Sequence, residues 1–243
     1  MKPNLLPLFS VALLLAAPLS AQSNQATAAG DSSLDILQTQ PTRFPYALTQ
    51  LGVLRGEAWL VLSVDAEGRL QDVLVTGYTR REFADEATDA VRRWQYKPAK
   101  VRGEVVPVVR EVHFTFTRTG VVIDSITGLD MVARSIDRLN RNTLGYRART
   151  MQELDRIPVP VNVVQPSYPE TLAPGETVAV TVEFYIDETG QVRMPAALER
   201  NSSELAYRAV EAVRAWKFEP PVSKGRPVLV LTRQVFHFLP PKS

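Results

Sequence analysis

Few side chains in this sequence are placed for covalent chemistry. Cysteine is absent, and the two histidines are His113 and His237. Disulfides, thiolate metal sites, a cysteine nucleophile and an acylated lipoprotein cysteine are thereby excluded. The histidines lie on the face opposite Phe114, Phe116, Phe236 and Phe238. No second histidine or carboxylate stands at a metal-like spacing, so they read as ordinary exposed residues. Asp85, Glu86 and Asp89 could serve acid–base work. They have no partner base, and a solvated helix face accounts for them. Asp65 and Asp187 resemble catalytic or calcium-binding acids, but each opens an Asp-x-x-Gly turn that explains it in full. Arg92-Arg93 could meet an acidic peptide or lipid, and it also complements a helix C-terminal dipole. Trp94 and Trp216 end apolar helical stripes and read as core. With no nucleophile beside a base, the residue types point to binding rather than catalysis. No catalytic residue, cofactor or metal is expected.

Composition narrows the class further. The 243 residues are 45% hydrophobic and 22% charged, which is ordinary for a globular chain. A wholly disordered chain and a multi-span membrane protein are both excluded. The 28 basic and 26 acidic residues leave a net charge of +2 with no basic stripe, so nucleic acid is not an expected partner.

The first residues read as an export segment. Met1-Lys2 precedes an apolar run from Leu5 to Leu19, then Ser20-Ala21-Gln22. The run falls short of the ~20 residues that span a bilayer comfortably. Residues 1–21 are therefore expected to be a signal peptide or an N-terminal anchor, and the rest periplasmic. Residues 22–40 are polar with little to bury and read as a flexible spacer.

An internal repeat organises the remainder. Residues 82–103 and 204–225 match at an offset of 122: Glu82, Ala84, Ala87, Ala90, Val91, Arg92, Trp94, Pro98 and Gly103 recur as Glu204, Ala206, Ala209, Ala212, Val213, Arg214, Trp216, Pro220 and Gly225. The same offset carries Asp65, Gly68, Phe114 and Phe116 onto Asp187, Gly190, Phe236 and Phe238. In each copy a period-two strand leads into the Asp-x-x-Gly turn and a returning strand. Pro195 in the second returning strand cannot donate a ladder bond and belongs at a sheet edge. An amphipathic helix follows and is stopped by Pro98 or Pro220. A final strand, 105–116 or 227–238, closes each copy. The fold class is α+β: two β-β-α-β modules, each a three-stranded antiparallel sheet with a helix on one face. The modules occupy 41–118 and 161–243, and each is expected to fold independently. Residues 119–160 connect them, with one helix through Leu129, Val132, Ala133, Ile136 and Leu139.

Taken together, these residues resemble the C-terminal domain of TonB, the periplasmic energy transducer of Gram-negative bacteria. Gln165-Pro166-Ser167-Tyr168-Pro169 is similar to the family's entry motif, and Pro41-Thr42-Arg43-Phe44-Pro45 is a looser version. Arg92 to Pro98 and Arg214 to Pro220 are similar to its Arg-x-Trp-x-aromatic-x-Pro helix end. The resemblance implies capture of a short extended segment, the TonB box of an outer-membrane transporter, by strand addition to an exposed sheet edge. The candidate edges are the two final strands. The expected contacts are Gln165, Tyr168, Val228, Leu229, Val230, Leu231 and Arg233. An anchored chain could also meet an ExbB/ExbD-type motor. The alternative is a structural adaptor of the cell envelope without energy coupling.

Overall fold

The computed structural model describes residues 34–39, 42–126, 144–167, 177–198 and 204–238. The first block runs β1 (Asp35–Gln38), α1 (Tyr46–Gln50), β2 (Arg55–Val64), β3 (Leu70–Tyr78) and α2 (Arg81–Arg92). It continues through β4 (Gln95–Lys97), β5 (Ala99–Val101), β6 (Glu104–Val106), β7 (Val108–Thr117) and β8 (Gly120–Ile126). The connector supplies β9 (Tyr146–Arg147), β10 (Arg149–Thr150) and a 3-10 turn, Met151–Glu153. The second block runs β11 (Pro160–Asn162), β12 (Val178–Ile186), β13 (Val192–Ala197) and α3 (Glu204–Arg214). It ends with β14 (Lys217–Phe218), β15 (Val222–Ser223), β16 (Arg226–Pro227) and β17 (Val230–Phe238). The helix expected through Leu129–Leu139 and the segment 1–21 lie outside the described residues.

The expected β-β-α-β pattern is present twice. In each hairpin one aspartate accepts two backbone N–H groups. Asp65 takes those of Glu67 and Arg69 at 3.0 and 2.8 Å, and Asp187 takes those of Thr189 and Gln191 at 2.9 Å each. Gly190 has φ +84°, and a Cβ there would collide with the carbonyl oxygen of Phe218. Both the left-handed backbone and the close approach demand glycine. The helices bury the predicted stripes, Phe83, Ala84, Ala87, Ala90 and Val91 in α2 and Leu205, Ala206, Ala209, Ala212 and Val213 in α3. Trp94 and Trp216 lie in the two cores. Pro195 is on β13, which is the edge of its sheet, as a residue without a donor requires.

The connector and the flanks enlarge both sheets. The central three-stranded units are β7-β2-β3 and β17-β12-β13; with the added strands the orders become β8-β7-β2-β3-β9 and β10-β17-β12-β13. The stretch read as spacer ends in structure. Leu34 is buried in the first core, Arg110 donates to its carbonyl at 2.8 Å, and β1 pairs antiparallel with β4. β11 pairs with β14 in the same way. Ile36 lies opposite Tyr96 and Pro160 opposite Phe218, so the repeat spacing is 124 here instead of 122.

Alternation in β2 and β12 predicts one buried face, yet residues Gly56–Leu62 are all buried. The cause is the other sheet. Val61, Leu74, Tyr185, Met194, Leu229 and Leu231 form a third cluster, with Val109, Tyr146 and Ala148 at its margin. The two sheets pack through the faces their helices do not cover, giving helix, sheet, sheet, helix in order. β13 meets β2, β3 and β7 alike, so the sheets cross, and a strand must change sheets at the corner. The connector does so: β9 pairs with β3, and two residues later β10 pairs with β17. An ion pair from Arg193 to Asp72 at 2.6 Å and a bond from the Tyr146 hydroxyl to Glu188 at 3.0 Å join the blocks at the rim.

Glu153 holds the corner. It accepts from Arg147 at 2.6 and 2.9 Å, from Arg149 at 3.4 Å and from the Thr150 N–H at 3.0 Å. The Arg147 bonds, with help from Thr150 and Arg149, lower its pKa from 4.5 to about 2 despite partial burial. A carboxylate lowered on folding contributes stability that is complete above pH 4.5 and is lost as pH falls toward 2. The melting temperature of the full chain is therefore expected to fall across that window, and Glu153→Gln to flatten the fall; an unchanged acid profile in the variant would dismiss the clamp. The shared cluster gives a second test. Tyr185→Ala is expected to destabilise the full chain by about 3 kcal/mol in urea unfolding, and a loss under about 1 kcal/mol would mean the sheets do not pack as described.

Candidate functional site

Two final strands were expected to offer open edges, and the structure treats them differently. In the first block β8 turns back after Thr117 and pairs antiparallel with β7, from Glu111 opposite Ile126 to Thr117 opposite Gly120. That edge is occupied by the chain itself, and the expectation of an open edge at 105–116 is corrected. Val121 and Ile123 pack on the first core, which explains why β8 stays.

In the second block the upstream part of β17 is also filled from within. Arg149 lies opposite Val230 and Thr150 opposite Leu231 in parallel, and the Arg149 N–H donates to the Leu229 carbonyl at 2.8 Å. Leu229, Val230 and Leu231 are 1%, 0% and 4% exposed, too enclosed to meet a partner. Val228 turns inward, its N–H bonded to the Pro221 carbonyl at 2.9 Å. Leu231 does lie on the face away from α3, but that face is covered by the first sheet.

Downstream the edge is different. The Thr181 carbonyl accepts from Leu198 on the β13 side, so Val180 and Val182 direct their backbone groups toward β17. Their partners Phe236 and Gln234 therefore face β12, and Arg233, Val235 and His237 face outward. Among the described residues no strand pairs with this outer side from Thr232 to Phe238. One outward carbonyl, that of Val235, accepts from the Gln234 side chain at 2.8 Å. Arg233, Gln234, Val235 and His237 are exposed, while Phe236 and Phe238 turn into the core.

Beside this stretch lies a recess of about 330 Å³, lined by Gln165, Pro166, Trp216 and residues 234–238. The chain ahead of β12 is fastened so as to form its wall. The Trp216 indole N–H donates to the Val164 carbonyl at 2.7 Å, the Asn162 amide to the Ala215 carbonyl at 2.8 Å, and Arg208 to the Ser167 hydroxyl at 2.8 Å. Gln165 is thus held exposed at the edge. Of the expected contacts, the structure brings Gln165 and Arg233 to the open stretch and places Val228–Leu231 behind it. Tyr168 lies outside the described residues. Sequence reasoning missed Trp216, Gln234, Val235 and His237 as site residues, although Val235 and His237 were legible as outward positions of an edge strand.

A second polar spot lies on the first sheet. His113 stacks on Trp59 at 4.5 Å, and its Nε2 is 3.5 Å from Glu57. His113 is half-buried instead of exposed, because Trp59 covers one ring face. Arg55 reaches Glu57 at 3.4 Å. His237 is exposed as expected. Asp85 and Asp89 are exposed along α2 and Glu86 is half-buried, a helix face and not a converging set. Among the described residues no group of three His, Cys, Asp or Glu could hold a metal, and no helix is long and apolar enough to cross a membrane.

The family model for the Gram-negative bacterial TonB protein C-terminal domain matches residues 41–117 and again 164–239, more than half the chain. A comparison with curated proteins finds no match. Both matched segments carry the tryptophan that closes their helix. Trp216→Ala is expected to cost about 3–5 kcal/mol in stability, because it removes core contacts with Phe184, Phe218 and Phe236 together with the wall of the recess. A loss under about 1 kcal/mol would show that Trp216 is not part of the core.

Proposed function

Because the chain belongs to the TonB C-terminal family, we propose that it is a periplasmic binding protein whose second module captures an extended segment of an outer-membrane transporter as an added strand. The observation that carries this reading is the outward edge at Arg233, Val235 and His237 beside the Gln165 recess. Each of those residues offers an N–H and a C=O to an incoming backbone. Each hydrogen bond exchanged with water contributes about 0.5–1.5 kcal/mol net. Pairing alone therefore gives modest affinity, micromolar or weaker, and side chains around Gln165, Arg233 and the recess supply selectivity. Nothing in this mode requires a nucleophile, a cofactor or a metal. The first module serves as a rigid base, its own edge already paired. If residues 1–21 stay in the membrane, an ExbB/ExbD-type motor can pull on the captured segment through the connector.

The test is a titration of the full chain with TonB-box peptides from transporters of the same organism, followed by amide NMR shifts. Shifts are expected at 233–238 and Gln165. Val235→Pro removes an outward donor without touching the ladder to β12, and it is expected to weaken binding at least tenfold. Val235→Thr keeps the donor and is expected to bind normally. Unchanged binding by Val235→Pro, or shifts confined to α3, would overturn strand addition.

A further inference from the structure

The internal repeat supplies a picture of what the open edge takes. At the offset of 122, residues 111–116 of β7 correspond to 233–238 of β17. Those β7 positions are the ones covered by β8. The stretch that is open in the second module is therefore the stretch that the chain fills for itself in the first.

The way β8 fills it is specific. Val121 lies opposite Phe116 and Ile123 opposite Phe114, and both side chains pack against the first core. The residues between and beyond them face the other way: Val122 is 58% exposed, and Asp124 is exposed. Phe114 and Phe116 correspond to Phe236 and Phe238. In the second module these two phenylalanines, with Trp216 and Pro166, line the recess. The same pair of aromatic rings thus has an aliphatic cover in one module and a recess in the other.

Resting on the docking reading above, we propose that the second module takes a strand of the β8 kind: a short extended segment carrying two β-branched aliphatic residues at positions i and i+2. These side chains enter the recess over Phe236, Phe238 and Trp216, while the intervening residues face Arg233, Val235 and His237 and are free to be polar. Apolar burial at the two inward positions adds to backbone pairing that by itself discriminates little. Since β8 already holds the first edge, each chain takes one such strand.

The probe is a synthetic peptide with the sequence of residues 120–126, titrated into the full chain beside a TonB-box peptide. The expected result is one equivalent bound, with shifts at 233–238 and at the Trp216 indole. A peptide carrying Val121→Ser and Ile123→Ser is expected to bind at least tenfold more weakly, and one carrying Val122→Ser within about twofold of the parent. Equal binding by the doubly substituted peptide, or two equivalents bound per chain, would overturn the inference. If the TonB-box peptide shifts 233–238 and the β8 peptide does not bind, the inference fails and strand addition stands. If neither binds, the docking reading itself fails.

Discussion

Tyr185 and Leu231 lie on the side of the second sheet that its helix does not cover, and neither can be left in water at small cost. The first sheet has the same difficulty at Val61 and Leu74. Packing these faces together relieves both, and the consequences spread through the molecule. Sheets that cross need a segment to turn the corner between them, and Tyr146–Thr150 does this with two residues on each sheet. That segment must run along the edge of β17, so it seals Val230 and Leu231 and leaves the stretch beyond them unpaired. The place where a partner can dock follows from how the two modules hold each other, although no docking residue takes part in that contact.

The parts of the fold that were legible in the sequence are those with a period or a fixed local requirement. Asp65 and Asp187 with their glycines, the apolar stripes of α2 and α3, and Pro195 at an edge each obey a rule that acts within a few residues. What was not legible depends on neighbours far along the chain. Residues 58–62 are apolar but for one position that alternation could not spare, and such a run is the mark of a strand buried on both faces. Tyr185 between Phe184 and Ile186 carries the same signal. Strands of two residues, such as β10, have no period to detect. β8 has no counterpart in the second module, so a search for repeats passes over it. The candidate site was half readable for the same reason. Gln165 and Arg233 could be named from the motif and the strand. That Val228–Leu231 would be sealed is a property of the connector.

The repeat creates similarity, and the segments outside it create difference. Both modules keep the hairpin, the helix, the tryptophan and the phenylalanine pair, so both have the means to form a docking edge. Seven residues of β8 decide that the first edge is filled. This division suits a protein that must grip with one module. A sealed edge neither aggregates nor competes for partners, and it stiffens the sheet on which the second module rests.

The connector also limits what the open edge can hold. A strand laid along Arg233, Val235 and His237 has room in the downstream direction, but upstream it meets Thr150 opposite Leu231. To pair further it would have to displace β10, and β10 is not loosely held. Arg147 and Arg149 share the Glu153 carboxylate, Thr150 bonds to it through N–H and hydroxyl, and Asp155 just beyond accepts the N–H groups of Lys224 and Gly225 at 2.8 Å each. Lifting β10 would break these charge-assisted bonds together, because Glu153 cannot release Thr150 while it still holds both arginines in place. The two turn-forming acids after β10 therefore do more than cap a short helix: they fix the upstream boundary of the docking strand, and with it the length of segment that the second module can engage.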